Sequence, residues 1–262
     1  MADTIAVLSL KGGTGKTTTV RTLADVLRRI GLDVLAVDLD PQGNLSDYFD
    51  VPPDATPTIA DVLSGDFKIK DATYDGGIVP ASTNLAEVEG SLSGKMGREL
   101  VLRKALKGPR QSYDVILIDC PPALGLLTVN GLVASDWAIV SAEAQYFALQ
   151  GVQGALDVVE QAKEYYAPDL QLAGVLMNIA DMRTVHSREA YDTLAEHFPD
   201  TVFKTVIRSS IAYAESAEKA RSILDHRPDL GADYLALADE LLKRIGLDAP
   251  RRKLRPMLAA TG

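Results

Sequence analysis

The sequence predicts an α/β protein: a mainly parallel, twisted sheet with helices packed on both faces. Three observations carry this. Short aliphatic runs alternate with longer stretches of helical period along most of the 262 residues, the order a parallel sheet with crossover helices requires. The run "YDVILID" (113–119) is apolar enough for burial on both faces. A glycine-rich turn follows the first such run at once and opens a helix.

The elements follow in order. "TIAVLS" (4–9) is a buried strand. "GKTTTVRTLADVLRRIG" (15–31) is a helix that lines up Val20, Leu23, Ala24, Leu27 and Ile30 on one face and stops at Gly31. "VLAVD" (34–38) and residues 113–119 are the next strands. "WAIVSA" (137–142), "LAGVLMN" (172–178) and "VFKTVI" (202–207) add three more. Helical patterns lie at 96–107, 147–165, 185–197 and 231–245. Residues 50–58, "DVPPDATPT", read as a proline-rich loop, and no internal repeat or low-complexity segment interrupts the pattern. One domain is expected over 1–248, followed by a basic, flexible tail over 249–262.

Composition narrows the function. No stretch reaches the roughly 18 consecutive apolar residues of a membrane span. The start, "MADTIAVLSLKGG", lacks a basic n-region, so a cytoplasmic protein is expected. Cys120 is the single cysteine and the three histidines are scattered, which excludes an intramolecular disulfide and zinc spacing. Cys120 reads as a small buried residue rather than a nucleophile. Magnesium, which takes oxygen ligands and phosphates, stays open. A formal net charge of −9 argues against a strongly basic nucleic-acid binder, but screening over about 10 Å leaves room for a local basic patch.

"SLKGGTGKTTTV" (9–20) has the composition of a phosphate loop. Gly12, Gly13 and Gly15 let backbone N–H groups converge on phosphate oxygens, and the helix that follows adds positive potential. Lys16 can bridge β- and γ-phosphates, and the Thr17 hydroxyl can sit on Mg²⁺. Leu10 stands where the usual pattern has its first glycine, and Lys11 enters instead. Lys11 either faces solvent or reaches across to the nucleotide of another subunit.

Two acidic strand ends complete the set. "VDLDPQGN" (37–44) places Asp38 and Asp40 where ligands gather in open α/β sheets, beyond the carboxyl ends of strands, and the period of two puts them on one side. One can hold metal-bound water and the other can orient or deprotonate the attacking water. "VILIDCPP" (115–122) is a Walker B pattern, with Asp119 the expected Mg²⁺ ligand through water. Pro121 and Pro122 shape a stiff loop that can feel the γ-phosphate.

Together "KGGTGKTT", "VDLDPQGN" and "DVILIDCPPALGLLTVNGL" closely resemble the ParA/Soj branch of the deviant Walker A P-loop ATPases, which also includes MinD. Residues 134–152, 174–184 and 207–226 continue the resemblance over nearly the whole chain. It implies an ATP- and Mg²⁺-dependent ATPase whose homodimer sandwiches the nucleotides. By that resemblance Lys11 is the signature lysine that contacts phosphate across the dimer. The loop residues Lys11, Gly12, Gly13, Thr14, Gly15, Lys16, Thr17 and Thr18 bind the nucleotide. Asp40 positions the attacking water, and Thr17, Asp119 and a supporting Asp38 serve the metal. Asn178 contacts adenine or is simply a buried, capping amide, and Arg208 borders the nucleotide.

The resemblance further implies nonspecific DNA binding in the ATP state, on the nucleoid, and positioning of a cargo (chromosome, plasmid or protein assembly). A ParB-like or small adaptor protein stimulates hydrolysis. Arg183, Arg188, Lys204, Arg208, Lys219 and Arg221 are candidate contacts to DNA phosphate, each weighed against an ordinary solvated charge. Two departures bear on this. Ala212 stands where a second arginine is common, and Gln145 replaces the acid often found before the paired aromatics 146–147, with Glu143 two residues earlier. The rival is a MinD-like, membrane-associated positioning ATPase. It wants a C-terminal amphipathic helix, whereas "RRKLRPMLAATG" has Pro256 in its middle, so no stable membrane association is expected. A cluster- or metal-handling ATPase would want more than Cys120, and a nonenzymatic scaffold would not keep Lys16, Asp40 and Asp119.

Overall fold

A computed structural model describes residues 1–145 and 148–259. Seven strands form one sheet: β1 (Asp3–Leu8), β2 (Val34–Asp38), β3 (Ile78–Val79), β4 (Val115–Asp119), β5 (Trp137–Glu143), β6 (Gln171–Ala180) and β7 (Val202–Arg208). Their spatial order is β3-β2-β4-β1-β5-β6-β7, and every pair is parallel. This is the expected fold class. The central strand β1 lies between β4 and β5; the chain first builds β2, β3 and β4 on one side of it and then crosses to β5, β6 and β7 on the other.

Thirteen α-helices surround the sheet among the described residues. They are α1 (Lys16–Arg29), α2 (Asn44–Tyr48), α3 (Ile59–Ser64), α4 (Asn84–Leu92), α5 (Val101–Ala105), α6 (Leu126–Val133), α7 (Ala148–Tyr165), α8 (Val185–His197), α9 (Ala212–Glu218), α10 (Ile223–His226), α11 (Pro228–Arg244), α12 (Asp248–Arg252) and α13 (Arg255–Ala259). Period two divides each inner strand between two cores. Ala6, Leu8, Val37, Ile116 and Ile118 pack with Ile59, Leu85, Leu127 and Val152. Ile5, Val7, Ala36, Val115 and Leu117 pack with Val20, Leu23, Leu27 and Leu237. Helix α1 buries Val20, Leu23, Ala24 and Leu27, and each fully buried aliphatic side chain contributes about 1.5–3 kcal/mol.

Two expectations need correction. Residues 248–259 are not a tail leaving the fold: α12 and α13 run there, and Leu254 is fully buried in the core under α11. Arg251 also pairs with Asp239 at 2.8 Å. The basic run masked one apolar residue whose burial fixes the segment. The pattern at 96–107 resolves into a short 3₁₀ turn (Arg98–Leu100) and the five-residue α5. Position 147 of the predicted 147–165 helix, the aromatic pair 146–147 and residues 260–262 of the expected tail lie outside the described residues.

Candidate functional site

The carboxyl ends of β1, β2, β4, β5 and β6 converge on the turn between β1 and α1. Gly15 there has φ +79°, and a Cβ would stand 3.2 Å from the Asn178 amide. A larger residue would be both strained and obstructed, so the backbone can run this close to β6 only as glycine. Ser9, just before the turn, ties it together. Lys16 Nζ donates to Ser9 Oγ at 3.0 Å and Thr14 Oγ1 donates to it at 2.9 Å, while Ser9 Oγ itself donates to the Lys11 carbonyl at 2.7 Å. Ser141 Oγ holds the Thr14 carbonyl from β5 at 2.7 Å. Lys16 is buried, with a neutral hydroxyl as its partner.

The acidic residues meet as their register requires. Asp38 and Asp119 are paired positions on adjacent strands, and both are buried. Thr17 Oγ1 donates to Asp119 Oδ2 at 2.7 Å, and Asp119 Oδ1 has no hydrogen-bond partner among the described residues. Burial first, and the neighbouring Asp38 charge second, push the Asp119 carboxyl well above its usual range. Burial likewise raises Asp38. The Asp38 oxygens are, however, already used. Oδ1 accepts the Asp40 N–H at 3.0 Å, and Oδ2 accepts the Ser46 N–H at 2.9 Å and its hydroxyl at 2.7 Å. Asp38 therefore anchors the turn that carries Asp40 and α2. Asp40 Oδ1 accepts the Gln42 N–H at 3.0 Å, and the residue lines the cavity beside the phosphate loop.

That cavity, of about 760 Å³, is bounded by the loop, Asp40, Asn178 and the β7–α9 segment with Arg208 and Tyr213. Asn178 is buried; its Nδ2 donates to Ser141 Oγ at 2.7 Å, and its Oδ1 takes no hydrogen bond. The amide is thus fixed by its nitrogen end and has an acceptor left over. Arg208 borders the cavity but pairs with Asp233 at 2.8 Å and donates to the Asp229 carbonyl.

The arrangement fits a magnesium nucleotide on its donor set. Gly13 and Gly15 open the turn with positive φ, Lys16 supplies a cation, and Thr17 with the open Asp119 oxygen supplies hard oxygen donors. Among the described residues no cluster of three or more His, Cys, Asp or Glu is placed to hold a metal alone. Phosphates and water would have to complete the shell, as Mg²⁺ prefers.

Lys11 is set apart. Its side chain is 63% exposed and turns away from Lys16, donating to Gln145 Oε1 at 2.7 Å and to Glu143 Oε2 at 3.2 Å. The two departures from the expected pattern thus have structural places. Gln145 holds Lys11, and Ala212 is buried in the core at the start of α9, where a cation would be desolvated.

Residues 2–172 match the family model described as an AAA domain. The sporulation initiation inhibitor protein Soj of Bacillus subtilis is 37% identical over 249 residues, 92% of this chain and 98% of that protein. The chromosome partitioning protein ParA of Myxococcus xanthus is 33% identical, covering 95% of this chain and 91% of that one. The chain belongs to the ParA/Soj family of partition ATPases. A solved structure described as cobyrinic acid a,c-diamide synthase from Mycobacterium smegmatis, with bound ADP and magnesium, superposes with TM-score 0.76. It is 36% identical and covers 86% of this chain and 95% of its own. The ParA/Soj membership agrees with the three motifs that the sheet brings to one edge.

The candidate DNA contacts are less uniform than the motif residues. Lys204 and Lys219 are exposed, with no side-chain ion pair among the described residues. Arg183 pairs with Asp181 at 2.8 Å, and Arg188 and Arg221 donate to backbone carbonyls. Among the described residues no helix is long and apolar enough to cross a membrane. Sequence reasoning missed Ser9, Ser46, Ser141 and Tyr213. Ser46 and Ser141 meet their partners across 8 and 127 positions, separations that leave no local pattern.

Proposed function

We propose that this protein is an ATP- and Mg²⁺-dependent positioning ATPase that dimerises when ATP binds, attaches to DNA without sequence preference and moves or spaces a cargo. A ParB-like or small adaptor protein stimulates its hydrolysis. The observation that carries this reading is the contrast between two lysines. Lys16 lies buried under the loop, whereas Lys11 stands outside it and exposed. A cation held on the outer rim is available to phosphate brought by a second subunit. Its exposed contact with Glu143 is worth only about 0–1 kcal/mol, so release is inexpensive.

In this reading the loop amides, Lys16 and Thr17 hold the phosphates, and Asn178 Oδ1 accepts from the adenine amino group. Thr17 and Asp119 would hold Mg²⁺ from the protein side, and the ion would supply positive charge to the phosphates. Asp40 orients the attacking water. Lys16→Ala should reduce nucleotide affinity by about two orders of magnitude or more, since it removes a buried charge from a phosphate site; titration with a fluorescent ATP analogue measures this. Unchanged affinity would exclude Lys16 from the phosphates.

DNA attachment rests on the exposed lysines, doubled by dimerisation. Lys204→Ala with Lys219→Ala should lower the slope of log affinity against log salt by roughly one unit per phosphate contact removed. Nucleotide binding should be unaffected. The same slope in both proteins, measured with ATP on a generic duplex, would place the DNA surface elsewhere.

A further inference from the structure

A second cavity, of about 740 Å³, lies between the α3 region and the α5 region. It is separate from the nucleotide site. Ser112 and Tyr113 on its wall lie three and two residues before β4, at the amino end of the strand, while the phosphate loop follows the carboxyl end of the parallel neighbour β1. The two cavities therefore open at opposite ends of the sheet. No motif of the nucleotide site reaches this one.

Its floor is apolar, with Leu63 and Ile69 on one wall and Val101 and Tyr113 on the other. Phe67, 45% exposed, stands at the lip. The polar lining has one sign. Lys68 and Lys70 lie on the α3 side and Lys104 on the α5 side, and among the described residues no carboxylate lines the cavity. Asp71, which follows Lys70, accepts the Lys68 backbone N–H at 3.2 Å. None of the three lysines has an ion pair among the described residues, in a chain whose net charge is −9. Unpaired cations on both walls of an apolar trough complement an apolar stripe flanked on both sides by anions. A ligand with one anionic head would use only one wall.

We propose that this trough is a docking site for an acidic amphipathic helix of a partner protein, its apolar residues spaced three and four apart and flanked by glutamate or aspartate. Such a partner would be held without touching the nucleotide or the Lys11 rim. The inference is independent of the nucleotide reading: loss of turnover or of dimerisation leaves it standing.

The test uses the full chain and two fluorescein-labelled 18-residue helical peptides with the same leucine stripe, one flanked by glutamates and one by lysines. Fluorescence anisotropy should show binding of the glutamate peptide and none of the lysine peptide. Reversing the trough charges, K68E with K70E and K104E, should weaken the glutamate peptide about tenfold or more and admit the lysine peptide. Ala105→Trp, which fills the trough without changing charge, should weaken it similarly. ATP turnover of both variants should match the parent, as a check on folding. Failure of the glutamate peptide to bind, equal binding of the two peptides, or binding unchanged by charge reversal would overturn the proposal. So would binding of dodecanoate but of neither peptide, which would assign the trough to a small apolar anion.

Discussion

Asp40→Ala is expected to lower ATP turnover by about 10²–10⁴-fold, the range for a lost general base or water-positioning group, while leaving nucleotide affinity within a few-fold of the parent. The geometry separates the two effects. Among the described residues Asp40 makes no hydrogen bond to the phosphate loop; its N–H donates to the Asp38 carboxylate, its carbonyl accepts the Gly43 N–H, and its Oδ1 accepts the Gln42 N–H. Removing its carboxyl should therefore spare the loop and Lys16. With hydrolysis blocked and ATP still bound, the dimer should persist on DNA and dissociate more slowly than the parent. Phosphate release and DNA dwell time measure the two halves. Parent-level turnover in Asp40→Ala would end its assignment to the reacting water.

Lys11→Ala is expected to abolish ATP-dependent dimerisation while Lys11 and Lys16 remain separable by phenotype. Light scattering in ATP should give the monomer mass, and nucleotide titration should give an affinity close to the parent's. Lys11 reaches Gln145 and Glu143 rather than the interior of its own loop, so its loss removes nothing that Lys16, Thr14 and Ser9 hold. A dimer mass in ATP for Lys11→Ala would refute a role across the subunit boundary. Glu143→Gln offers a complementary test. With the ion pair weakened, Lys11 should leave its resting contact more readily and dimerisation should need less ATP, not more.

Much of this was legible in the sequence for a physical reason. Buried parallel strands must be apolar, and the phosphate loop, Asp40 and Asp119 sit at strand ends that period and punctuation reveal. The first helix was readable because Val20, Leu23, Ala24 and Leu27 recur on one face. What escaped had no local signature. Strand β3 has two residues, too short for any period. The Ser46 contact with Asp38 depends on how the chain turns after β2, so the structural part of this carboxylate's role is not visible in the sequence. The Ser141–Thr14 contact joins distant elements. Ala212 reads in sequence as a missing surface arginine, and its burial becomes visible only when α9 packs. The C-terminal run misled because four basic residues in five (251–255) outweighed Leu254, the one that decides where the segment goes.

The placement of β1 also has a consequence for the order of synthesis. It is the first strand made, yet its neighbours, Val115–Asp119 and Trp137–Glu143, come more than 100 residues later. Until both have emerged, the first strand has no sheet to join, and "KGGTGKTT" is a sequence without walls. The Ser141 contact arrives with the second of these neighbours and the Asn178 contact later still. A chain this dependent on distant pairing pays its loop-closure entropy before contacts reward it and folds slowly for its size. The nascent chain therefore completes the walls around this loop only after Asn178 has emerged, so an incomplete chain carries the motif without the contacts that shape it.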